Sequence, residues 1–168
     1  MVVRDVKDFN VNTEKFTFFW NGPFSQWEPC EFEIDGITYN CAEQYMMAEK
    51  ARLFGDEDTL SRIMEAEHPR EQKKLGRLVK GFNSDRWNAR AREVVYEGNY
   101  AKFTQNPELL EKLLATKGTT LVEASPYDCI WGIGLRETDK NAKDRSKWRG
   151  TNWLGETLTG LREDLIDK

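Results

Sequence analysis

One stretch constrains the fold and the chemistry of this chain more than any other. It covers residues 39–54, YNCAEQYMMAEKARLF, where apolar positions recur at helical spacing and Gly55 supplies a stop. Glu43 and Lys50 lie seven residues apart, so they share one face of the predicted amphipathic helix within about 20°. A carboxylate and an amine among methionines and aromatic rings form either a buried structural ion pair or a reaction centre.

The rest of the chain predicts further helices and a few short strands. Strands are predicted over 16–20 and 119–124, and a β-hairpin over 30–40, where Asp35 and Gly36 form the turn. The predicted helices cover 57–67, 69–82, 83–103, 107–116 and 155–165, with Leu75, Leu78 and Val79 packed inward in the second of these. We therefore expect an α+β fold, a mainly helical single domain over 16–165 with a small β-sheet, after a polar lead-in over 1–15.

The charge of the chain is unevenly distributed. The net charge of −4 over 168 residues argues against a protein that binds nucleic acid over most of its surface. Residues 69–92, however, hold eight basic and two acidic side chains, a local net charge of +6 that leaves −10 for the remainder. This segment is either two solvated helix faces or a phosphate-binding face. Arg77 is its strongest candidate because Gly76 beside it permits close backbone approach.

Several classes of chemistry are excluded by residue type. The chain has 3 widely spaced cysteines and 1 histidine, so neither a disulfide framework nor a histidine-based metal site is expected. A histidine-dependent nucleophile is absent for the same reason. No apolar run is long enough for a bilayer. We expect an intracellular, cytoplasmic protein, with a nuclear location possible in a eukaryote.

The remaining candidates are carboxylates, aromatic rings, a lysine and arginines. Loop 23–27, PFSQW, carries Phe24 and Trp27, which either fold back as a lid on the core or line a cleft. Glu123 and Asp128 flank a Ser-Pro turn that Trp131, Gly132 and Gly134 follow. Carboxylates can protonate a leaving group and stabilise a sugar cation, rings stack on bases, and arginines hold phosphates. This set suits cleavage of a sugar–base bond.

Motifs over 18–161 resemble the NADAR, or YbiA-like, family. They occur in family order: FFWNGPFSQW, YNCAEQYMMAEKARLFGD, HPREQKKLGRLVKGF, KFTQNPELLEKLLAT, LVEASPYDCIWGIG and WRGTNWLGETL. The resemblance implies an N-glycosidase without a metal or organic cofactor. It implies one of two substrates, ADP-ribosylated guanine in nucleic acid, which we take as the leading one, or a phosphoribosylamino-pyrimidine intermediate of riboflavin synthesis. A non-catalytic ADP-ribose or nucleotide binding module is the alternative from another class. No membrane or obligate protein partner is expected.

The resemblance also implies roles for individual residues. Glu43, Lys50 and Asp128 are the expected catalytic residues. The expected substrate-binding residues are Phe19, Trp20, Asn21, Ser25, Trp27, Arg77, Trp87, Glu123, Trp131, Gly132, Gly134 and Asn152. Two mechanisms remain open. Either a carboxylate positions water at the anomeric carbon, or Lys50 attacks that carbon and forms a Schiff base with the ring-opened ribose.

Overall fold

The computed structural model describes residues 14–167, and most of the predicted lead-in over 1–15 lies outside this range. The strands are β1 (Phe16–Phe19), β2 (Phe32–Ile34), β3 (Ile37–Tyr39) and β4 (Thr120–Glu123). The helices are α1 (Ala42–Leu53), α2 (Glu57–Glu65), α3 (Pro69–Gly76), α4 (Ser84–Thr104), α5 (Pro107–Leu114) and α6 (Trp153–Ile166), and a 3₁₀ turn covers Arg145–Lys147. The predicted α+β, mainly helical fold is confirmed.

The four strands form two separate two-stranded sheets within residues 14–167, where one small sheet was expected. β1 and β4 run parallel, with Phe19 opposite Glu123. β2 and β3 form the predicted antiparallel hairpin. Asp35 and Gly36 have φ values of 53° and 81° at its turn, the left-handed pair that a two-residue hairpin requires. The parallel pair matters for the site because it places the end of β4 beside the loop that follows β1.

Helix α1 is an inner helix of the fold, more completely buried than the amphipathic pattern of its sequence indicates. All of its residues from Ala42 to Ala48 are buried, and it contacts α2, α3 and α4. Two glycines allow this close packing: Gly76 of α3 faces the side chain of Met47, and a Cβ atom at Gly98 of α4 would lie 2.8 Å from the Tyr45 ring. Polar residues of α1 are therefore enclosed by neighbouring helices.

Helix α3 ends at Gly76, earlier than the predicted end at residue 82, and the prediction that Leu78 packs inward is wrong. The Leu78 side chain is 60% exposed, whereas Val79 is buried. The Asp56 carboxylate accounts for the early end because it accepts hydrogen bonds from the backbone N–H of Thr59, at the start of α2, and of Lys80. The chain after α3 is thus held at α2 and cannot continue as a helix.

The last helix begins at Trp153, two residues before the predicted start. Asn152 precedes it in a left-handed conformation, with φ at 53°. The helix packs on β4 and α4. None of the helices within residues 14–167 combines the length and the apolar character that a membrane span requires.

Candidate active site

A cavity of about 510 Å³ opens between the loop after β1, helices α1 and α3, and the loop after β4. Eleven of the predicted site residues line it: Trp20, Asn21, Ser25, Trp27, Glu43, Lys50, Arg77, Trp87, Glu123, Asp128 and Trp131. The fold therefore brings together residues that are up to 111 positions apart, from Trp20 to Trp131. Four predicted residues, Phe19, Gly132, Gly134 and Asn152, are not part of the lining.

The aromatic loop after β1 is held in place by helices α1 and α4. The Gln26 carbonyl accepts a hydrogen bond from the N–H of Glu43 at 2.9 Å, and the Gln26 side chain accepts one from Asn99 at 2.8 Å. Phe24 packs into the core against Phe19, while Trp27 lines the cavity. Both interpretations of this loop therefore apply, one to each ring.

Glu43 occupies the first turn of α1 and points into the cavity. Its side chain is 7% exposed, and no ion pair within 4.0 Å joins it to Lys50 or any other cation in residues 14–167. Burial raises the pKa of Glu43 to about 7; Asp128 raises it further, whereas Lys73, the Trp27 side chain and Lys50 oppose the rise. Glu43 can therefore exchange a proton near neutral pH, which the closed ion pair considered above would prevent.

Three basic side chains, Lys50, Lys73 and Arg77, form a cationic wall on one side of the cavity. Burial lowers the pKa of Lys50, Arg77 lowers it further, and Glu43 opposes that effect. The Lys50 Nζ atom lies 4.6 Å from the centre of the Phe82 ring. Two basic residues of the segment 69–92, Lys73 and Arg77, thus line the cavity, which gives it the charge to hold a phosphate.

Two further carboxylates approach the cavity from the end of β4. Asp128 accepts hydrogen bonds at Oδ1 from the backbone N–H groups of Ile130 and Trp131, at 2.9 and 2.7 Å. The Glu123 Oε2 atom is shielded from solvent and has no hydrogen-bond partner within residues 14–167. Burial raises the pKa of Glu123 to about 8, and the charges of Asp128 and Glu43 add to this.

The four predicted residues outside the lining support those that form it. Phe19 belongs to the core. The Asn152 side chain is fully buried and bridges two backbone groups of β4: its amide donates to the Leu121 carbonyl, and its oxygen accepts from the Glu123 N–H, both at 3.0 Å. Gly132 lies directly against Glu123, and Gly134 has a φ of 70° in the same loop.

Six lining residues lay outside the predicted set: Gln26, Met46, Met47, Lys73, Ser125 and Tyr127. Lys73 could have been found, because it precedes Arg77 by one helical turn within the basic segment. Met46 and Met47 are buried as expected of core residues, and they line the cavity as well. They belong to both the core and the cavity because α1 is buried, and no feature of the sequence indicates this.

The mouth of the cavity carries an aromatic group in which the predicted residue Trp20 is joined by two residues that the sequence did not indicate, Tyr127 and Arg136. The rings of Trp20 and Tyr127 lie 5.8 Å apart, and the Arg136 guanidinium lies 5.9 and 6.0 Å from their centres. The Tyr127 side chain is 77% exposed. We call these three residues the rim group. Such exposed rings with an arginine are suited to stacking on a planar base.

The donor set of the cavity favours acid–base and cation-stabilising chemistry on a phosphorylated ligand. The carboxyl groups of Glu43 and Glu123 share the cavity lining with the cationic wall and with aromatic rings. Within residues 14–167, no group of three or more His, Cys, Asp and Glu side chains is arranged to hold a metal ion.

Comparison with known proteins places this chain in a family. The family model described as "NADAR domain" matches residues 15–166. The chain is 42% identical over 167 residues to N-glycosidase R617 of Acanthamoeba polyphaga mimivirus, covering 92% of this chain and 98% of that protein. It is 31% identical over 177 residues to the chloroplastic riboflavin biosynthesis protein PYRR of Zea mays, a match that covers 96% of this chain and 26% of that protein.

The same family includes a protein with a solved structure. N-glycosidase YbiA of Escherichia coli (strain K12) is 31% identical over 144 residues, covering 86% of this chain and 81% of YbiA. The NMR structure of E. coli YbiA matches with a TM-score of 0.76 at 29% identity, covering 92% of this chain and 87% of that one. The chain therefore belongs to the NADAR domain family, and it is an N-glycosyl hydrolase.

Proposed function

We propose that this enzyme hydrolyses the C–N bond between ribose and guanine in ADP-ribosylated nucleic acid. The observation that carries the proposal is the composition of one cavity, which is lined by Glu43 and Glu123, by the cationic wall and by aromatic side chains. Breaking a ribose–base bond develops positive charge at the anomeric carbon, which a carboxylate stabilises. The phosphates of the substrate would bind at the cationic wall.

Glu43 would act directly on the anomeric carbon, and Lys50 would have one of two roles. Glu43 as a carboxylate would stabilise the developing cation and accept a proton from water. Lys50 would either bind a phosphate or attack the carbon itself. The second role requires a neutral amine, and the burial that lowers the pKa of Lys50 favours that form. Trp87, which is buried and lines the cavity, would stack on the base.

The rim group supports the larger of the two substrates. ADP-ribose extends from the ribose through two phosphates to a second nucleoside, whereas a phosphoribosylamino-pyrimidine ends at its phosphate. Trp20, Tyr127 and Arg136 stand at the mouth, where a second base or a neighbouring nucleotide would reach. With a net charge of −4, the chain would engage a short or single-stranded segment through its cationic side.

The phosphoribosylamino-pyrimidine of riboflavin synthesis is the second candidate substrate. The similarity to the maize riboflavin biosynthesis protein favours it. Its base, ribose and phosphate would use Trp87, Glu43 and the cationic wall, and would leave the rim group unoccupied. The two candidates therefore differ in their need for the rim.

Incubation with both substrates tests the proposal. We expect release of free guanine from ADP-ribosylated DNA at a kcat/KM well above that for pyrimidine release, and a loss of about 10²–10⁴-fold in Glu43→Gln. Lys117→Gln, an exposed lysine near the end of α5, is the matched surface control and should retain full activity. Release of pyrimidine alone would select the second candidate, and release of neither base would overturn the proposal.

Borohydride reduction of the same enzyme and substrate mixtures distinguishes attack by Lys50 from direct attack by water. If Lys50 forms a Schiff base, reduction during turnover leaves a ribosyl adduct on Lys50, detectable by mass spectrometry, and Lys50→Arg is inactive. If water attacks directly, no adduct forms and Lys50→Arg retains activity with a higher KM.

A further inference from the structure

We infer that Glu123 is the acid that protonates the departing base nitrogen, and that it works as a pair with Glu43. The inference rests on the N-glycosidase activity proposed above and assigns a residue to the step that this activity requires. Nitrogen leaves poorly as an anion, so cleavage of the ribose–base bond needs a proton donor on the side of the base.

The position of the Glu123 carboxyl fits a donor. It lines the cavity, yet its Oε2 atom is buried and has no hydrogen-bond partner among residues 14–167. An unpartnered buried carboxyl oxygen is costly, and such atoms are uncommon without a functional reason. Because the Glu123 carboxyl group lines the cavity, it can pass a proton to a ligand that enters there.

The backbone around Glu123 keeps the carboxyl in place. The Asn152 side chain accepts a hydrogen bond from the Glu123 N–H, and the Glu123 carbonyl accepts one from Ile133 N–H at 3.0 Å. Gly132 leaves the room that the carboxyl occupies, because a Cβ atom there would lie 3.0 Å from Oε2. Asn152 and Gly132 are therefore positioning residues for Glu123.

Asp128 is less suited to the same role. Its Oδ1 atom already accepts two backbone N–H bonds within its own loop, whereas the Glu123 Oε2 atom has no partner among residues 14–167. The negative charge of Asp128 instead favours the protonated form of Glu123. The charged groups that face Glu123 are Asp128 and Glu43, which raise its pKa, and Lys73, which lowers it.

The proton balance of the reaction closes with this pair. As the C1′–N bond breaks, its electron pair passes to the nitrogen, which takes the proton of Glu123. Water bonds to C1′ and gives a proton to the Glu43 carboxylate. One water is consumed, and the free base and a ribose hydroxyl are formed. Glu123 is left ionised and Glu43 protonated until both exchange with solvent.

Glu123→Gln tests the assignment because it keeps the shape and removes the acid. We expect kcat on ADP-ribosylated DNA to fall by about 10²–10⁴-fold, with ADP-ribose affinity changed less than threefold. The wild-type rate should fall above pH 8, and this basic limb should vanish in Glu123→Gln and shift in Glu123→Asp. Glu137→Gln, at an exposed glutamate of the following loop, is the control.

A second measurement needs no turnover and keeps this inference separate from the proposed function. Infrared difference spectra of the free enzyme should contain a protonated carboxyl band at pH 7 that Glu123→Gln removes and Glu137→Gln leaves. An ionised Glu123 at pH 7, or an active Glu123→Gln with its basic limb intact, would overturn the assignment. Wild type that releases no base but retains the band would refute the proposed function and leave Glu123 as a buried acid only.

Discussion

Lys102 illustrates how a single buried residue shapes the site without touching it. Its side chain is 0% exposed in α4, and its Nζ atom donates a hydrogen bond to the Ser25 carbonyl at 2.9 Å. Burial lowers the pKa of Lys102 to about 8, an effect that Cys30, Glu28 and Cys41 oppose. This amine holds the loop that carries Trp27, and through it the wall of the cavity. Burying the amine costs desolvation free energy, so its presence in the core is better explained by this positioning than by a gain in stability.

Replacement of Lys102 by methionine should loosen this loop. The Ser25 carbonyl would lose its charged donor and keep only the hydrogen bond from the Glu28 N–H at 3.2 Å, and losing a hydrogen bond to a charged group costs about 1.5–3 kcal/mol. We expect amide exchange in residues 22–28 to accelerate by about tenfold for each 1.4 kcal/mol lost locally. Lys112→Met, at an exposed position of α5, should leave exchange unchanged. Equal protection in both variants would show that Ser25 is held by other contacts.

At the scale of elements, the site depends on how closely α1 approaches its neighbours. Gly98 of α4 faces the buried ring of Tyr45, whose hydroxyl lies within hydrogen-bond distance of the carboxylates of Glu49 and Glu97, at 3.2 and 3.1 Å, and donates its one proton to either. This anchored ring has little freedom to move. The spacing of α1 and α4 in turn positions Glu43 against the loop after β1, because both helices bind Gln26.

Gly98→Ala should therefore lower the melting temperature despite the better helix propensity of alanine. Overpacking costs about 1–3 kcal/mol, against a propensity gain of about 1 kcal/mol. Gly160→Ala in α6 is the matched control, since a Cβ there meets nothing within 4 Å. It should raise Tm by about 2–4 °C in thermal unfolding monitored by circular dichroism. A Gly98→Ala protein as stable as Gly160→Ala would contradict the close packing.

At the scale of the whole molecule, the fold buries two carboxyl groups, Glu43 and Glu123, that titrate near neutral pH. Burial raises the pKa of Glu43 to about 7 and that of Glu123 to about 8, from an ordinary value of 4.5. Between pH 4.5 and 8 the folded protein thus binds more protons at these sites than the unfolded chain. Their contribution to stability is complete below pH 4.5 and is lost as pH rises.

We therefore expect urea unfolding to give a free energy that declines from pH 5 to pH 8. The Glu43→Gln/Glu123→Gln double variant should lack this part of the decline, because glutamine does not titrate. Above pH 8 the lowered pKa of Lys102 makes the unfolded chain bind more protons than the folded one, which raises the free energy of unfolding as pH rises. The free energies are therefore compared only up to pH 8. Identical slopes for both proteins would contradict the buried, protonated state of the carboxyls.

The sequence by itself determined the elements, the family and most of the cavity lining. Helical spacing over 42–53, the Asp35-Gly36 turn and the glycine and proline stops are local signals, so they survive without tertiary information. The motifs pointed to Glu43, Lys50 and Asp128, and all three residues line the cavity.

Only the tertiary structure decided the environment of each group. Burial of α1 placed Glu43 among the charges of Asp128, Lys73 and Lys50, with no ion pair within 4.0 Å in residues 14–167, and an environment of this kind sets a pKa. The parallel pairing of β1 with β4 brought Glu123 to the loop after β1, and Tyr127 met Trp20 and Arg136 there. Such contacts join residues about one hundred positions apart, and no local pattern of side chains encodes them.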